Sequence, residues 1–272
     1  MGNLTERQRY LRALRREPVD RVPVPAFCTH PLVELMKISE TYAPDIHYDL
    51  DAMVRFALEA REVLGFEGIR LPTDGVFEAE AMGCQVNAGD MGRNPYVNSH
   101  PFQSNHVEIP GGYLQKARIP LLLKAVQTAK NRVGKEIPVT SHFMGPMTIS
   151  SHLIGLEAFL RGFFKNPEKT KKVLYSVTEI CIQMGNALAE AGADALQMPD
   201  PVASSDMISP NLFGEFLLPC YKKIFQNIAN PVILHICGDS TPILPLLRGS
   251  GAIGFSFDAK VKCLLRQENT WQ

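Results

Sequence analysis

Short apolar runs that alternate with long helical stretches constrain this chain more strongly than any other feature of its sequence. Six runs have the β-branched and apolar character of buried strands, namely RVPVPAF, FEGIRLP, EIPVTSHF, GADALQMP, PVILHIC and AIGFSF. Strands joined by helices pair in parallel, because such a crossover connection is long enough to bring the chain back to the same edge. The pattern therefore predicts an α/β fold, either a doubly wound sheet or a (β/α) barrel, with helices covering the strands.

Two segments fall outside this alternation. Residues 1–20 contain a helical pattern in which Thr5 and Gln8 have the spacing of a capping box. Residues from about 83 to 120 are rich in Gly, Asn and Pro and contain short alternating pieces, which is typical of a β-hairpin excursion. We therefore expect one domain over residues 1–272, with a helical N-terminal extension and one hairpin excursion.

The charge balance and the cysteine content narrow the choice of partners. Lys and Arg together number 28, as do Asp and Glu, so the chain lacks the basic field that recruits nucleic acid. No apolar run approaches the roughly 18 to 20 residues that span a bilayer, so no membrane association is expected. The six scattered cysteines do not resemble a dense disulfide framework. These features predict a cytoplasmic protein with reduced thiols that acts on a small molecule.

Polar residues cluster where the predicted strands end. In either candidate fold, ligands bind beyond the carboxyl ends of the strands. The polar residues at this edge are Cys28, His30, Asp74, Ser141, His142, Asp200, His235, Cys237 and Asp258. Among them, Asp74 in LPTDG and Asp200 in MPDP are candidate catalytic carboxylates. Both also stand beside turn residues, so their short side chains have an alternative role in stabilising turns.

The strand PVILHIC carries the most informative pair. Side chains alternate faces along a strand, so His235 and Cys237 emerge side by side at its tip. Imidazole and thiolate are preferred zinc ligands, which makes the pair a candidate metal and catalytic site. Asp258 ends the next predicted strand at the same edge and is a candidate third ligand. The alternatives are a buried histidine beside an inert cysteine, and a helix N-cap for Asp258.

Common nucleotide-binding and hydrolase motifs are absent or misplaced. GSGAIG at 249–254 fits G-x-G-x-x-G, but it follows a helix and opens a strand, which is the reverse of the order that directs backbone amides at a pyrophosphate. The chain contains no P-loop, G-x-S-x-G or H-E-x-x-H motif. Nucleotide-binding, serine hydrolase and zincin functions are therefore disfavoured.

Several longer segments resemble one known family. They are PVDRVPV, LPTDGVFEAEAMGC, GPMTISS, AGADALQMPDPVASSDMISP, FLLPCYKKI and HICGDSTPIL. In these segments the chain resembles the uroporphyrinogen decarboxylase superfamily and, within it, the methylcobamide:coenzyme M methyltransferases. The pattern PDPVASSDMISP followed by HICG is that of the methyltransferases, whereas the decarboxylases carry an arginine-bearing loop where this chain has PAFCTHPLVELM.

The resemblance implies a (β/α)8 TIM barrel with a catalytic zinc ion at its carboxyl-end rim. His235 and Cys237 match two zinc ligands of the family, and Asp258 falls near a glutamate that can bind zinc in the related cobalamin-independent methionine synthases. The implied reaction moves a methyl group from a methylated corrinoid such as methylcobalamin, carried by a partner protein, to a zinc-bound thiol such as coenzyme M. The alternatives are a cofactor-free decarboxylase of the uroporphyrinogen decarboxylase type and a non-catalytic member of the family.

The resemblance also bears on the last residues of the chain. Family members continue for two further βα units and a PGCG turn that supplies the last thiolate, whereas this chain ends with AKVKCLLRQENTWQ. Cys263 in that segment has no PGCG context. We therefore expect a barrel truncated after about six strands, zinc binding weaker than the complete ligand set gives, and self-association through open barrel edges.

Overall fold

The computed structural model describes residues 4–26, 32–71, 74–102 and 107–261. Its strands, numbered in chain order, are β1 Ile69–Arg70, β2 Val86–Asn87, β3 Tyr96–Val97, β4 Val139–His142, β5 Ala195–Pro199, β6 Val232–Ile236 and β7 Gly254–Phe257. Five of them form one parallel sheet in the order β1–β4–β5–β6–β7. The strands β2 and β3 pair antiparallel in a separate two-stranded sheet.

The order of the strands in the main sheet identifies its architecture. Each strand pairs with the strand of that sheet that follows it along the chain, and the described strands show no reversal of this order. A doubly wound sheet reverses its order at a switch point, whereas the wall of a barrel runs in sequence. The predicted α/β fold is confirmed, and the order of its strands is that of a barrel wall.

The prediction that RVPVPAF forms the first strand is wrong for the residues of this run that the structure describes. That part forms no strand, and Val22 and Val24 are 81% and 53% exposed. Pro23 and Pro25 lack the N–H groups that a sheet ladder requires, which explains why the apolar run does not join the sheet. The carbonyl of Val24 accepts one hydrogen bond, from Glu67 N at 2.8 Å, so the segment runs beside the approach to β1.

Helices connect the strands of the main sheet. The α-helices of the described residues are α1 Glu6–Leu14, α2 Val33–Ser39, α3 Asp45–Tyr48, α4 Leu50–Leu64, α5 Phe77–Ala81, α6 Ile119–Val133, α7 Pro146–Ile154, α8 Leu156–Lys165, α9 Pro167–Glu190, α10 Pro210–Leu212, α11 Leu218–Asn227 and α12 Leu244–Leu247. Short 3₁₀ turns lie at Tyr113–Gln115, Pro201–Ala203 and Thr241–Ile243, and a π-helical turn lies at Phe213–Leu217. None of the helices in these ranges combines the length and apolar character needed to cross a membrane.

Local sequence explains where two of the helices begin and end. Thr5 caps α1 in a capping box, because its hydroxyl accepts from Gln8 N while the Gln8 side chain accepts from Thr5 N. This confirms the predicted start of the first helix. Asp49 caps α4 by accepting a hydrogen bond from Ala52 N, and Gly65 ends that helix in the left-handed conformation that glycine adopts without strain.

Prolines divide two of the longer helical stretches. Pro167 occupies the first position of α9, where no N–H is needed, and separates α9 from α8. Pro219 follows the π-helical turn, and because it has no N–H to continue an α-helical ladder, the preceding turn is widened. The segment from α10 to α11 is therefore one helical stretch with a widened turn.

The main sheet separates two sides of different chemistry. Side chains that face the helices, such as Leu196 and Leu234, belong to the large apolar core. On the opposite face, Tyr10 of α1 packs on Ala195 and Ile233 in a small separate cluster. Side chains alternate along a strand, and paired residues of parallel strands share a face. The face on which Tyr10 packs is the interior of the barrel, and nearer the carboxyl ends of the strands it carries Arg70, Thr140, His142, Gln197, His235 and Ser256. The barrel interior is thus apolar at its base and polar toward the rim.

Candidate active site

His235 and Cys237 lie together at the end of β6. Nε2 of His235 is 2.9 Å from Sγ of Cys237, as expected for two residues on one face of a strand. Cys237 is exposed, whereas the other free cysteines of the described residues are buried. The pair therefore presents an imidazole nitrogen and a thiol to solvent at the rim of the barrel.

The neighbouring strand orients the His235 ring. Nδ1 of His235 is 2.9 Å from Oγ of Ser256, its register partner on β7. An Nδ1–H that donates to this hydroxyl leaves the lone pair of Nε2 directed at Cys237. Histidines that bind metals commonly use their second ring nitrogen in this way, because the contact fixes both the tautomer and the orientation of the ring.

The donor set of this pair fits zinc. Zinc prefers imidazole nitrogen and thiolate sulfur, and its bond lengths place two such ligands on a tetrahedral ion about 3.5 Å apart. The observed 2.9 Å separation is a hydrogen bond that a small side-chain rotation opens to that spacing. Among the described residues, no group of three or more His, Cys, Asp or Glu side chains is arranged to hold a metal ion. The part of the chain that the structure describes thus offers two ligands.

Asp258 follows β7 at the same rim, but both of its oxygens bind backbone groups. Oδ2 accepts from Gly238 N and Oδ1 accepts from Lys260 N, each at 3.0 Å. These hydrogen bonds, first that from Gly238, lower the pKa of Asp258, and the charge of Lys260 adds to the effect. The carboxylate therefore ties the loop after Cys237 to the end of β7, and its role as a metal ligand stays a prediction.

Asp200 is fully buried after β5 and accepts four hydrogen bonds. They come from Met147 N at 3.2 Å, Thr148 N at 2.8 Å, Thr148 Oγ1 at 2.7 Å and the Tyr221 hydroxyl at 2.9 Å. Burial raises the pKa of Asp200 to about 6, although the hydrogen bonds from Thr148 and Tyr221 oppose the rise. Since Met147 and Thr148 lie in the first turn of α7, the carboxylate caps this helix from a distant part of the chain. This geometry supports a positioning role, and the catalytic role of Asp200 stays a prediction.

The backbone of Asp200 links this cap to the candidate metal pair. Its N–H donates to the carbonyl of His235 at 2.8 Å. A Cβ atom at Gly145 would lie 2.4 Å from the Asp200 side chain, so the close approach of α7 to the end of β5 requires glycine at that position. One buried residue therefore connects the start of α7 with the strand that carries His235.

Asp74 lies in a buried ion-pair network. Its Oδ2 accepts from Arg118 Nη1 at 2.8 Å and is 3.2 Å from Nδ1 of His47. Nε of Arg118 donates to Glu80 at 2.6 Å. Burial by itself raises the pKa of Asp74, but the hydrogen bonds and charges of His47 and Arg118 outweigh burial and lower it. The carboxylate is therefore ionised and held in place, and its catalytic role stays a prediction.

His142 connects Asp74 with the interior of the barrel. Nε2 of His142 is 2.9 Å from the carbonyl oxygen of Asp74, and Nδ1 is 2.9 Å from Nη2 of Arg70. A carbonyl only accepts and a guanidinium only donates, so His142 carries its proton on Nε2 and accepts at Nδ1. This contact holds the cationic group of Arg70 beside the rim layer of the interior.

Several partners of the site come from segments that sequence patterns did not connect. Ser256 had a signal, because it is a polar residue within the apolar run AIGFSF. Arg118 had none, since it lies 44 residues from Asp74, within the expected hairpin excursion. Ser141, another of the rim candidates, is fully buried in β4. The candidates Cys28, His30 and Cys263 lie outside the described residues.

The chain is similar in sequence to several known proteins. A family model for uroporphyrinogen decarboxylase (URO-D) matches residues 5–270. The methylcobamide:CoM methyltransferase MtaA of Methanosarcina barkeri is 35% identical over 263 residues, which cover 96% of this chain and 78% of that protein. The methylated-thiol–coenzyme M methyltransferase of Methanosarcina mazei is 32% identical over 258 residues, which cover 95% of this chain and 70% of that protein.

A solved structure agrees with these relatives. The structure of a methyltransferase from Methanosarcina mazei aligns with a TM-score of 0.90 at 36% identity, over 93% of this chain and 76% of that one. These relatives are named as methyltransferases, which confirms the expectation that the chain is a methyltransferase. Because the family model spans nearly the whole sequence, the chain belongs to the uroporphyrinogen decarboxylase (URO-D) family.

Proposed function

We propose that the protein transfers a methyl group from a methylated corrinoid to a thiol such as coenzyme M, and that zinc held by His235 and Cys237 is required. The observation that carries the proposal is the His235–Cys237 pair, in which Cys237 is exposed, the two ligand atoms are 2.9 Å apart and Ser256 orients His235. Nitrogen and sulfur ligands at the rim of a barrel suit a zinc ion that binds a further sulfur.

Relatives support the choice of donor and acceptor. The names of two relatives at 32–35% identity specify methylcobamide and coenzyme M as reactants. A corrinoid is large, and Cys237 lies exposed at the rim, so a corrinoid carried by a separate protein has access to the pair from solvent. We therefore infer a small thiol and a corrinoid protein as the partners of this chain.

The residues of the chain would divide the work of the reaction. His235 Nε2 and Cys237 Sγ would hold the ion, and Ser256 would keep the imidazole in the tautomer that binds metal. Bound zinc supplies Lewis acidity that lowers the pKa of a coordinating thiol. In the overall reaction, the thiol proton leaves to solvent, a sulfur–carbon bond forms and the cobalt–carbon bond breaks. The electron pair of that bond stays on cobalt, which becomes cobalt(I).

Metal analysis combined with a methyl-transfer assay tests this proposal. We expect about one zinc ion per chain and loss of the methylcobalamin absorbance only when both the protein and coenzyme M are present. Removal of zinc by a chelator should stop the reaction, and added zinc should restore it. Thiol-dependent transfer by metal-free protein would contradict the zinc requirement. Decarboxylation of uroporphyrinogen without methyl transfer would instead identify a decarboxylase.

Replacement of Ser256 by alanine is expected to weaken zinc binding by about 10- to 100-fold, because His235 then loses the contact that fixes its ring. The affinity is measured by competition with a chromophoric chelator. Ser256→Thr is the matched control, since it keeps a hydroxyl on the same strand position and should retain most of the affinity. Equal zinc affinity in the alanine variant and the wild type would show that Ser256 does not support the ligand.

A further inference from the structure

Gln197 on β5 is a buried amide whose hydrogen-bonding groups are unused. The residue is 4% exposed, and within the described residues neither its side-chain oxygen nor its side-chain nitrogen has a hydrogen-bond partner. Burying an amide without partners costs free energy that an apolar residue of similar size would not. A polar residue at this position therefore points to a group that the interior receives.

The register of the strands places Gln197 below the candidate metal pair. Gln197 pairs with His142 on β4, and Pro199, two residues later, pairs with His235 on β6. Residues two apart share a face, so Gln197 and His235 both point into the barrel. A strand rises about 3.3 Å per residue, which sets the Gln197 layer about 6.6 Å beneath the His235 layer.

The surroundings of Gln197 include one cationic and two hydroxyl-bearing side chains. A cavity of about 10 Å³ adjoins Gln197 and is lined by Arg70, Thr140 and Tyr10 together with the apolar Ala26, Leu196 and Ile233. Nη2 of Arg70 donates to the neutral His142 at 2.9 Å, so this contact leaves the positive charge of the guanidinium in place. The residues between Gln197 and the rim, Pro199, His235 and Ser256 among them, are only half-buried. The interior therefore has a polar, positively charged layer that lies within reach of the rim.

We propose that the Gln197 amide binds the acidic group at the far end of the thiol substrate, with Arg70 supplying positive charge. This inference rests on the proposed function, because it assumes that the thiol sulfur sits at His235 and Cys237. A sulfur atom and a sulfonate separated by two carbons span a distance comparable with the spacing of the two layers. The amide N–H of Gln197 donates to an acid oxygen, so short thiols that carry an anionic group are preferred over neutral thiols. Gln197 is thus a specificity-determining residue.

Binding of ethanesulfonate, which has the acid group without the thiol, tests the Gln197 layer separately from catalysis. Calorimetry with metal-free protein should detect binding to the wild type, and Gln197→Leu should weaken it at least about tenfold, because the hydrogen bond to an ionised group is lost. Gln226→Leu is the matched control, since Gln226 is exposed on α11, and it should bind like the wild type. Failure of the wild type to bind ethanesulfonate, or equal binding by Gln197→Leu, would overturn the proposal.

Kinetics and stability separate this role from a purely structural one. In Gln197→Leu, the KM for coenzyme M should rise about tenfold, while the KM for 2-mercaptoethanol and the zinc content stay unchanged. The variant should unfold at the same denaturant concentration as the wild type or a higher one, because no internal hydrogen bond is removed. Loss of stability with unchanged preference for the acidic thiol would assign Gln197 to structure and refute the proposal.

A second variant covers the case in which leucine does not fold. Gln197→Glu keeps the shape of the side chain and adds a negative charge, so it should abolish ethanesulfonate binding. Tight binding by this variant would contradict the inference. A wild type that binds ethanesulfonate through Gln197 but transfers no methyl group would refute the proposed function and leave the anion site standing.

Discussion

Replacing Cys237 by alanine is expected to remove most of the zinc and to lower thiol-dependent methyl transfer by at least about 100-fold. The reason is that no group of three or more His, Cys, Asp or Glu side chains among the described residues is arranged to hold a metal ion. Loss of Cys237 therefore leaves His235 as the single remaining ligand of the pair. His235→Ala should have the same effect. Zinc content after gel filtration and the rate of methylcobalamin loss measure the two results. Helix content should stay nearly unchanged, because ligands at a strand tip lie outside the packed wall of the barrel.

Two further variants make this comparison specific. Cys84→Ala changes a buried cysteine whose Sγ contacts the carbonyl of His152 at 3.5 Å, and it should keep its zinc. Asp258→Ala should weaken zinc binding less than the loss of His235 or Cys237, because its oxygens already serve Gly238 and Lys260. Stoichiometric zinc in both the His235 and the Cys237 variants would refute the site. An equal loss in Asp258→Ala would make Asp258 a full ligand.

The alternation of strands and helices could be predicted because it is a local property of the sequence. The capping box at Thr5 depends on two residues three positions apart, and it was predicted. The first strand was the exception, because apolar character outweighed Pro23 and Pro25 in the prediction. Each proline removes a ladder donor, and the exposed Val22 and Val24 show the result.

The candidate site could be predicted only in part. The contact of His235 with Cys237 follows from the two-residue period of a strand and needs no knowledge of the fold. The environment of Asp200 could not be inferred in the same way, since the α7 amides that it caps lie 52 and 53 residues earlier in the chain. A turn beside Pro201 was visible in the sequence, but the helix that receives the carboxylate was not. The sequence therefore predicted which residues lie at the site, but not the hydrogen bonds that distant segments of the chain make with them.

Asp200→Ala is expected to destabilise the fold by about 3–5 kcal/mol, because several buried donors lose their acceptor at once and each unsatisfied donor costs about 1–3 kcal/mol. The substitution leaves the amides of Met147 and Thr148, the Thr148 hydroxyl and the Tyr221 hydroxyl without their acceptor. Urea unfolding followed by circular dichroism measures the loss. Asp51→Ala is a suitable control, because that side chain is 88% exposed and should change stability little.

The pH dependence of the stability of Asp200→Asn tests how the charge of this carboxylate affects the same network. The raised pKa means that ionisation of Asp200 costs stability in the wild type as pH rises from 3.8, its ordinary value, to about 6. Asparagine keeps one acceptor oxygen and does not ionise. The stability advantage of the wild type over the variant should therefore be largest below pH 3.8 and smaller above about pH 6. A difference that grows with pH would refute the raised pKa. If Asp200→Ala unfolds like the wild type and yet loses methyl transfer, the carboxylate acts in catalysis, and the capping contacts contribute little to the fold.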